Sequence, residues 1–284
     1  MKLMRNLIFS VFIIFCISST SSAQNRKYAA PIPAANLTHH YLRFLEHKRV
    51  AMLVNQTSTI QNKHIVDSLI SLGIDIKLIF CPEHGFRGNI DAGENVNSSI
   101  DSSTKLPIIS LYGKHKKPDS LDLKNIDVVV FDIQDVGVRF YTYISTLHYV
   151  MEACAENNVE LLVLDRPNPN GYYIDGPVLQ SKYQSFVGLH PVPIVYGMTI
   201  GEYAKMINGE GWLANKAKCR LYVIRNAEYD HQKKYTLPVK PSPNLVDQDA
   251  ITMYPSLCLF EGTVISVGRG TYEPFKMIGH PTLS

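Results

Sequence analysis

Short apolar segments recur along this chain, and they constrain its fold more than any other feature. They occupy residues 50–54, 74–80, 106–111, 127–131, 160–164 and 221–224. The Val-rich segment at 127–131 has no polar alternation, as expected of a strand that is buried on both faces. Strands of this type alternate with helices in parallel sheets. We therefore predict an α/β fold with a Rossmann-like, doubly wound, mostly parallel sheet.

Helical spacing separates several of these predicted strands. The predicted helices cover residues 41–47, 65–72 (with Gly73 as the C-cap) and 140–156. Thr199 and Glu202 fit a capping box at the start of another helix, so we interpret Glu202 as structural rather than catalytic. The GxGxxG fingerprint that follows a strand in dinucleotide-binding proteins is absent from the sequence. We therefore predict no nucleotide cofactor.

The first 23 residues differ from the rest of the chain. Lys2 and Arg5 precede a largely apolar core at 7–17, and small polar residues follow at 18–23. This arrangement predicts a secretory signal peptide over residues 1–23. Its apolar core is shorter than the roughly 20 residues that span a bilayer. We therefore expect an exported protein, periplasmic or secreted, with no integral membrane segment once the signal is removed.

Charge and cysteine content limit the classes of partner. Removing residues 1–23 lowers the formal net charge from +3 to +1, and the rest of the chain has no Lys/Arg-rich run. Nucleic acid is therefore not an expected partner. Outside the predicted signal peptide, the cysteines are Cys81, Cys154, Cys219 and Cys258. They lack CxxC spacing, so neither a zinc site nor a redox pair is expected. An oxidising compartment permits a disulfide, but the sequence does not define its pairing.

Polar segments follow the predicted strands. Glu83, His84 and Arg87 lie within five residues after the second strand, and residues 132–143 and 165–171 follow the fourth and fifth. The carboxyl ends of parallel strands lie along one edge of a sheet, where ligands bind. Carboxylates, arginines, amides and tyrosines at such an edge suit a hydroxyl-rich, partly anionic ligand such as a modified sugar.

Each of these residues also has a purely structural interpretation. Asp132 and Asp165 could cap the following segment, Asn168 and Asn170 could shape a turn, Tyr141 and Tyr143 could be core aromatics, and Arg139 could pair with Asp135. Among catalytic chemistries, the G-x-S-x-G elbow of serine hydrolases is absent. Metal-assisted hydrolysis would use His84, Asp91 and Glu94. Glycoside hydrolysis requires a carboxylic acid, for which Glu83 and Glu94 are candidates.

Longer motifs add a resemblance to a known family. They are PEHGFRG at 82–88, DVGVRFYTYISTL at 135–147, LDRPNPNG at 164–171, PSPN at 241–244, and EGT with S-x-GRGT-x-x-PF at 261–275. Together they resemble the DUF1343 family, associated with NamZ-type exo-β-N-acetylmuramidases, which are glycoside hydrolases. The resemblance implies a Rossmann-like catalytic domain at 24–275 and a smaller C-terminal domain, whose truncated start would be residues 276–284.

The resemblance also implies a substrate and a set of site residues. The substrate would be peptidoglycan-derived muramyl saccharides, cleaved to release terminal N-acetylmuramic acid from the non-reducing end. Glu83 matches the family's proposed catalytic glutamate and would act as general acid, with Glu261 as the second carboxylate or with assistance from the sugar's 2-acetamido group. The candidates for substrate binding are His84, Arg87, Arg139, Tyr143, Asn168 and Arg269. Binding of the lactyl carboxylate and hydroxyls by Arg139, Asn168 and Arg269 is inferred from their chemistry and is not carried over from the family.

Two other functions fit the same residues. A non-catalytic periplasmic binder of cell-wall sugars would use this cleft without cleaving its ligand. A metal-dependent esterase or deacetylase would use the carboxylates and histidine to hold a metal. No metal is expected for the leading hypothesis of glycoside hydrolysis.

Overall fold

A computed structural model describes residues 29–87 and 99–282. The predicted signal peptide, Asp91 and Glu94 lie outside the described residues. The described strands are β1 (Val50–Val54), β2 (Thr59–Ile60), β3 (Lys63–His64), β4 (Ile76–Cys81), β5 (Ser99–Ile100), β6 (Pro107–Ser110), β7 (Val128–Asp132), β8 (Glu160–Leu164) and β9 (Arg220–Ile224). The α-helices are α1 (Leu42–Leu45), α2 (Ile65–Ser71), α3 (Tyr143–Glu156), α4 (Ile200–Glu210) and α5 (Gln248–Leu257). Short 3₁₀ turns lie at Ala34–Asn36, Thr38–His40, Ser181–Tyr183, Ala214–Lys216 and Cys258–Gly262.

Seven strands form the main sheet, in the order β5-β6-β4-β1-β7-β8-β9. All neighbouring pairs are parallel except β5 and β6, which are antiparallel. Numbered along the chain, the six parallel strands have the order 3-2-1-4-5-6. This is the order of doubly wound Rossmann sheets, with helical crossovers between parallel strands. The predicted fold class is therefore confirmed.

Both faces of the sheet are covered by apolar packing. In β1, Ala51 and Leu53 point into one core, and Val50, Met52 and Val54 point into the other. Residues of α3, α4 and α5 complete the first core, and residues of α1 and α2 complete the second. Alternate side chains of a strand point to opposite faces. A strand between two apolar layers must therefore be apolar throughout, which explains the continuous segments in the sequence.

Six predicted strands are present, with ends that differ by no more than two residues. The helix predicted from residue 140 begins at Tyr143, because the Tyr141 N–H donates to the Val138 carbonyl in a turn before it. The capping box of Thr199 and Glu202 is confirmed. The hairpin of β2 and β3 and the edge strand β5 were not predicted, since two-residue strands show no period. Helix α5 was also missed, and it contains Pro255, which disfavours a helix interior.

The four cysteines within the described residues are buried free thiols. Burial raises the pKa of the Cys81 thiol to about 12, so this group stays protonated at neutral pH. Within the same described ranges, no helix is both long enough and apolar enough to cross a membrane.

A buried ion pair joins the ends of the central strands. Asp132 ends β7, and both of its carboxylate oxygens accept from the Arg166 guanidinium, at 2.6 and 2.8 Å. The side chains are 0% and 2% exposed. Burial disfavours the charge on Arg166, but the Asp132 carboxylate raises the pKa of the guanidinium above its ordinary value. Ser58, after β1, donates its hydroxyl to the Asp132 carbonyl. Three loops at the carboxyl edge are therefore linked through one residue.

Replacing Asp132 by Asn should lower the free energy of unfolding by about 3–5 kcal/mol, because it leaves Arg166 buried without a counter-charge. Asp75→Asn is the matched control, since Asp75 pairs with Lys77 and their side chains are 52% and 46% exposed. Its cost should stay below about 1 kcal/mol, as for other surface ion pairs. Urea unfolding measures both. An equal decrease in the free energy of unfolding of the two variants would show that the buried ion pair stabilises the fold no more than a surface pair does.

Candidate active site

A cavity of about 280 Å³ opens at the carboxyl edge of the sheet. Its walls come from the segments after β4, β6 and β7, from a turn at residues 186–187, and from residues between 242 and 275. Two carboxylates, Glu83 and Glu261, line it together with Arg269. Ligand pockets commonly measure roughly 300–1,000 Å³, so this cavity is near the lower end of that range. Its size suits one sugar-sized group.

The turn after β4 carries Glu83 to this cavity. The Gly85 N–H donates to the Pro82 carbonyl at 3.1 Å, which closes the turn. His84 and Gly85 both have left-handed backbone angles, with φ of 71° and 75°. Such a conformation is uncommon for a residue with a side chain and costs of order 1–3 kcal/mol where it is strained. His84 lines the cavity but is only 5% exposed, so packing holds the turn in place.

A hydroxyl group orients the Glu83 carboxylate, and a second lies near it. The Thr142 hydroxyl donates to Oε2 at 3.1 Å. Burial, and then the negative charge of Glu83, raise the pKa of Tyr112 to about 12. Tyr112 therefore keeps its proton at neutral pH and interacts with the nearby carboxylate. Neither Thr142 nor Tyr112 was predicted as a site residue, although Tyr112 follows a predicted strand in the same manner as Glu83.

Glu261 lies in a different environment from Glu83. Arg269 Nη1 donates to Glu261 Oε1 at 2.9 Å. Burial raises the pKa of Glu261, the Arg269 charge opposes this shift, and the charge of Glu83 adds to it. The two carboxylates are therefore close enough to interact electrostatically. Paired carboxylates in unlike environments are the usual basis of acid–base division in glycoside hydrolysis.

Tyrosines form an aromatic wall of the cavity. Tyr141 and Tyr143 meet edge to face at 4.7 Å between ring centroids, and Tyr254 meets Tyr141 at 6.0 Å. The Tyr141 hydroxyl donates to the Pro241 carbonyl at 2.7 Å. Asn55 Nδ2 donates to the Tyr143 hydroxyl at 3.0 Å. Tyr143, predicted to bind substrate, thus lines the cavity, and it is also a buried residue of the core.

The structure does not bring Arg139 and Asn168 into the cavity lining. Arg139 Nη1 donates to the carbonyls of Pro177 and Val192. Asn168 Nδ2 donates to the Met198 carbonyl at 2.8 Å, and its Oδ1 accepts from the backbone. Both side chains are buried, and their hydrogen bonds are with main-chain groups. They hold loops together, which is the structural alternative for Asn168.

Arg139 also does not pair with Asp135, as its structural interpretation proposed. Asp135 accepts from the Gly137 N–H at 2.7 Å and from the Tyr196 hydroxyl. Burial raises the pKa of Asp135 to about 7, because these neutral donors compensate only part of the cost of its charge. This carboxylate belongs to the same segment between β7 and α3 that carries Tyr141 and Thr142.

Arg87 lies beside the turn rather than in the cavity lining. Its Nη2 is 3.2 Å from Asp101 Oδ1, and its guanidinium lies 4.3 Å from the centre of the Phe86 ring. Its side chain is 40% exposed. Within the part of the chain that the structure describes, no three His, Cys, Asp or Glu side chains are grouped to hold a metal. Asp91 and Glu94, weighed above as ligands, lie outside that part.

Comparison with known proteins places this geometry in a family. The model for the N-terminal part of the exo-beta-N-acetylmuramidase NamZ matches residues 50–249, and the model for its C-terminal part matches residues 252–284. The chain belongs to the NamZ family. The two family models divide the chain within α5, whereas the sequence analysis placed a domain division after residue 275.

Other NamZ-family proteins agree in sequence and in structure. The peptidoglycan beta-N-acetylmuramidase NamZ of Bacillus subtilis is 46% identical over 249 residues, which cover 85% of this chain and 59% of that protein. This chain therefore spans less than two thirds of that relative. Crystal structures of two DUF1343 family proteins from Bacteroides fragilis are also similar. The first has a TM-score of 0.84 and 48% sequence identity, and the match covers 90% of this chain and 69% of that protein. The second has a TM-score of 0.81 and 35% sequence identity, and the match covers 89% of this chain and 66% of that protein.

The charges around Glu261 predict opposite pKa shifts in two variants. Glu83→Gln removes a neighbouring negative charge and should lower the pKa of Glu261. Arg269→Gln removes a positive charge and should raise it. NMR titration of carboxyl-labelled glutamate measures both shifts against the wild type. Shifts in the same direction, or none, would contradict the proposed electrostatic coupling of the three groups.

Proposed function

We propose that this protein is an exo-acting glycoside hydrolase that releases terminal N-acetylmuramic acid from the non-reducing end of peptidoglycan fragments. The observation that carries the proposal is the placement of Glu83 and the Glu261–Arg269 pair in one sugar-sized cavity. The 46% identity to a peptidoglycan beta-N-acetylmuramidase supports it. The predicted signal peptide leads us to propose export, periplasmic or secreted, where such fragments arise.

Glu83 has the role of general acid in this proposal. Its carboxyl group protonates the glycosidic oxygen as the bond to the leaving group breaks. The Thr142 hydroxyl orients the carboxyl by a hydrogen bond and Tyr112 lies near it, so little reorganisation is needed when substrate binds. The strained turn at His84 serves the same end, because it is fixed before substrate arrives.

Glu261 and Arg269 act at the donor sugar. Glu261 is the second carboxylate and stabilises positive charge at the anomeric carbon or activates water, while the 2-acetamido group is the alternative internal nucleophile. A guanidinium has five N–H donors, so Arg269 can bind a second carboxylate while it holds Glu261. We assign the lactyl carboxylate of muramic acid to Arg269, because bidentate pairing with carboxylates is its preferred interaction.

Product analysis tests the proposal directly. The protein should release N-acetylmuramic acid from a chromogenic muramide and from muropeptide ends, and NMR of the first product should show a single anomer. That anomer identifies retention or inversion. Tight binding of muramic acid by calorimetry without turnover would instead identify a binder of cell-wall sugars. Loss of activity on treatment with EDTA would favour a metal-dependent esterase or deacetylase.

Glu83→Gln should lower kcat by about 10²–10⁴-fold, the usual contribution of a general acid. The amide keeps the size of the side chain, so the fold should persist, as circular dichroism can verify. Glu202→Gln is the matched control, because Glu202 caps α4 and an amide also serves a capping box. Its kcat should stay within about twofold of the wild type. Near-normal turnover by Glu83→Gln would remove Glu83 from this role.

Arg269→Met should reduce the preference for the lactyl group. We expect the ratio of kcat/KM for a chromogenic muramide to that for the matching glucosaminide to fall at least about tenfold, as a charge-assisted hydrogen bond is worth ~1.5–3 kcal/mol. Arg87→Met is the control, since Arg87 pairs with Asp101 outside the cavity lining. If Arg87→Met changes the ratio and Arg269→Met does not, the lactyl group does not bind at Arg269.

A further inference from the structure

A tight turn places an aromatic ring at the edge of the cavity. Ser185 and Gly188 exchange two backbone hydrogen bonds, at 3.0 and 3.1 Å, so Phe186 and Val187 form the tip between them. The Ser145 hydroxyl of α3 donates to the Phe186 carbonyl at 2.7 Å. Both tip residues line the cavity. The turn is therefore anchored to the helix that begins at the active site.

Neighbouring side chains hold the Phe186 ring. Tyr149 lies nearly parallel to it, at 11° and 6.2 Å between centroids, and Tyr112 lies at 58° and 6.5 Å. The Lys116 ammonium is 4.5 Å from the ring centre. Phe186 is half-buried and Val187 is 54% exposed. The result is a supported aromatic ring in the cavity lining, with a lysine side chain whose ammonium lies over it.

Glu83 links this aromatic cluster to the Glu261–Arg269 pair. On one side it interacts electrostatically with Tyr112, and both Tyr112 and Phe186 line the cavity with their ring centroids 6.5 Å apart. It also interacts electrostatically with Glu261, which Arg269 holds by a hydrogen bond. A general acid protonates the oxygen that joins two sugars, so the donor and the leaving group lie to either side of it. With the lactyl group at Arg269, the leaving group extends toward Phe186.

We infer that Phe186, with Tyr112 and Lys116, forms the subsite for the sugar ring of the leaving group. This inference rests on the proposed function and adds the orientation of the substrate. The C–H face of a pyranose packs on an aromatic ring, and large rigid aromatic side chains provide such apolar area. The Lys116 ammonium supplies hydrogen-bond donors at the rim for hydroxyl or acetamido oxygens. The site selects a cyclic leaving group.

Two disaccharides that differ only in the leaving group test this subsite. One is a muramyl disaccharide with a pyranose at its reducing end, and the other is the same compound after borohydride has reduced that ring to an open-chain alditol. The measured quantity is the ratio of kcat/KM for the cyclic compound to that for the alditol. Phe186→Ala should lower this ratio about tenfold, and Phe186→Leu, which keeps apolar bulk but no flat ring, should lower it by an intermediate factor.

Tyr183→Ala is the matched control for Phe186→Ala. Tyr183 lies in the same loop, is 64% exposed, and has the Lys182 ammonium 4.8 Å from its ring centre, but it does not line the cavity. The ratio of kcat/KM for the cyclic compound to that for the alditol should be the same in Tyr183→Ala as in the wild type. An unchanged ratio in both Phe186 variants, with both disaccharides still cleaved, would overturn the subsite alone. If the wild-type protein cleaves neither disaccharide, the proposed function fails and the subsite fails with it.

Discussion

The buried pair of Asp132 and Arg166 is the interaction on which the carboxyl edge of the sheet depends. Asp132 ends β7, Arg166 follows β8, and Ser58 after β1 donates to the Asp132 carbonyl. The charges are shielded from water, so each needs the other. The loops that leave this edge carry the aromatic wall of the cavity and the turn that closes on it.

Polar side chains also fill the topological switch point between β1 and β7. The Thr57 hydroxyl donates to Asn55 Oδ1 at 2.6 Å, and the Gln134 N–H donates to that hydroxyl at 3.0 Å. Asn55 in turn donates to the Tyr143 hydroxyl, which links this network to the cavity wall. Doubly wound proteins commonly bind ligands at this point. Here the cavity that holds Glu83 is lined by the segments after β4, β6 and β7, and β7 is one of the two strands at this point.

Within the cavity, environment separates the two carboxylates. Glu83 receives a hydroxyl hydrogen bond, whereas Glu261 has a guanidinium partner and is affected by burial and by the charge of Glu83. Arg269 and the aromatic ring of Phe186 both line the cavity, and the proposed subsite assigns them to the two sugars that the scissile bond joins. Substrate orientation follows from this asymmetry, since the bond to be cleaved must lie at Glu83.

The sequence by itself determined the six parallel strands, the fold class and the position of Glu83 after a strand, because continuous apolar segments, turn residues and post-strand polar clusters are local features. Only the tertiary structure separated Arg269, which lines the cavity, from Arg139, whose guanidinium binds main-chain carbonyls. Both are arginines in glycine-containing motifs, and the sequence near them does not differ in kind. Only the tertiary structure showed that Tyr112 and Phe186 line the same cavity as Glu83. Such contacts join residues that are distant along the chain, and loop packing, which has no sequence period, decides them.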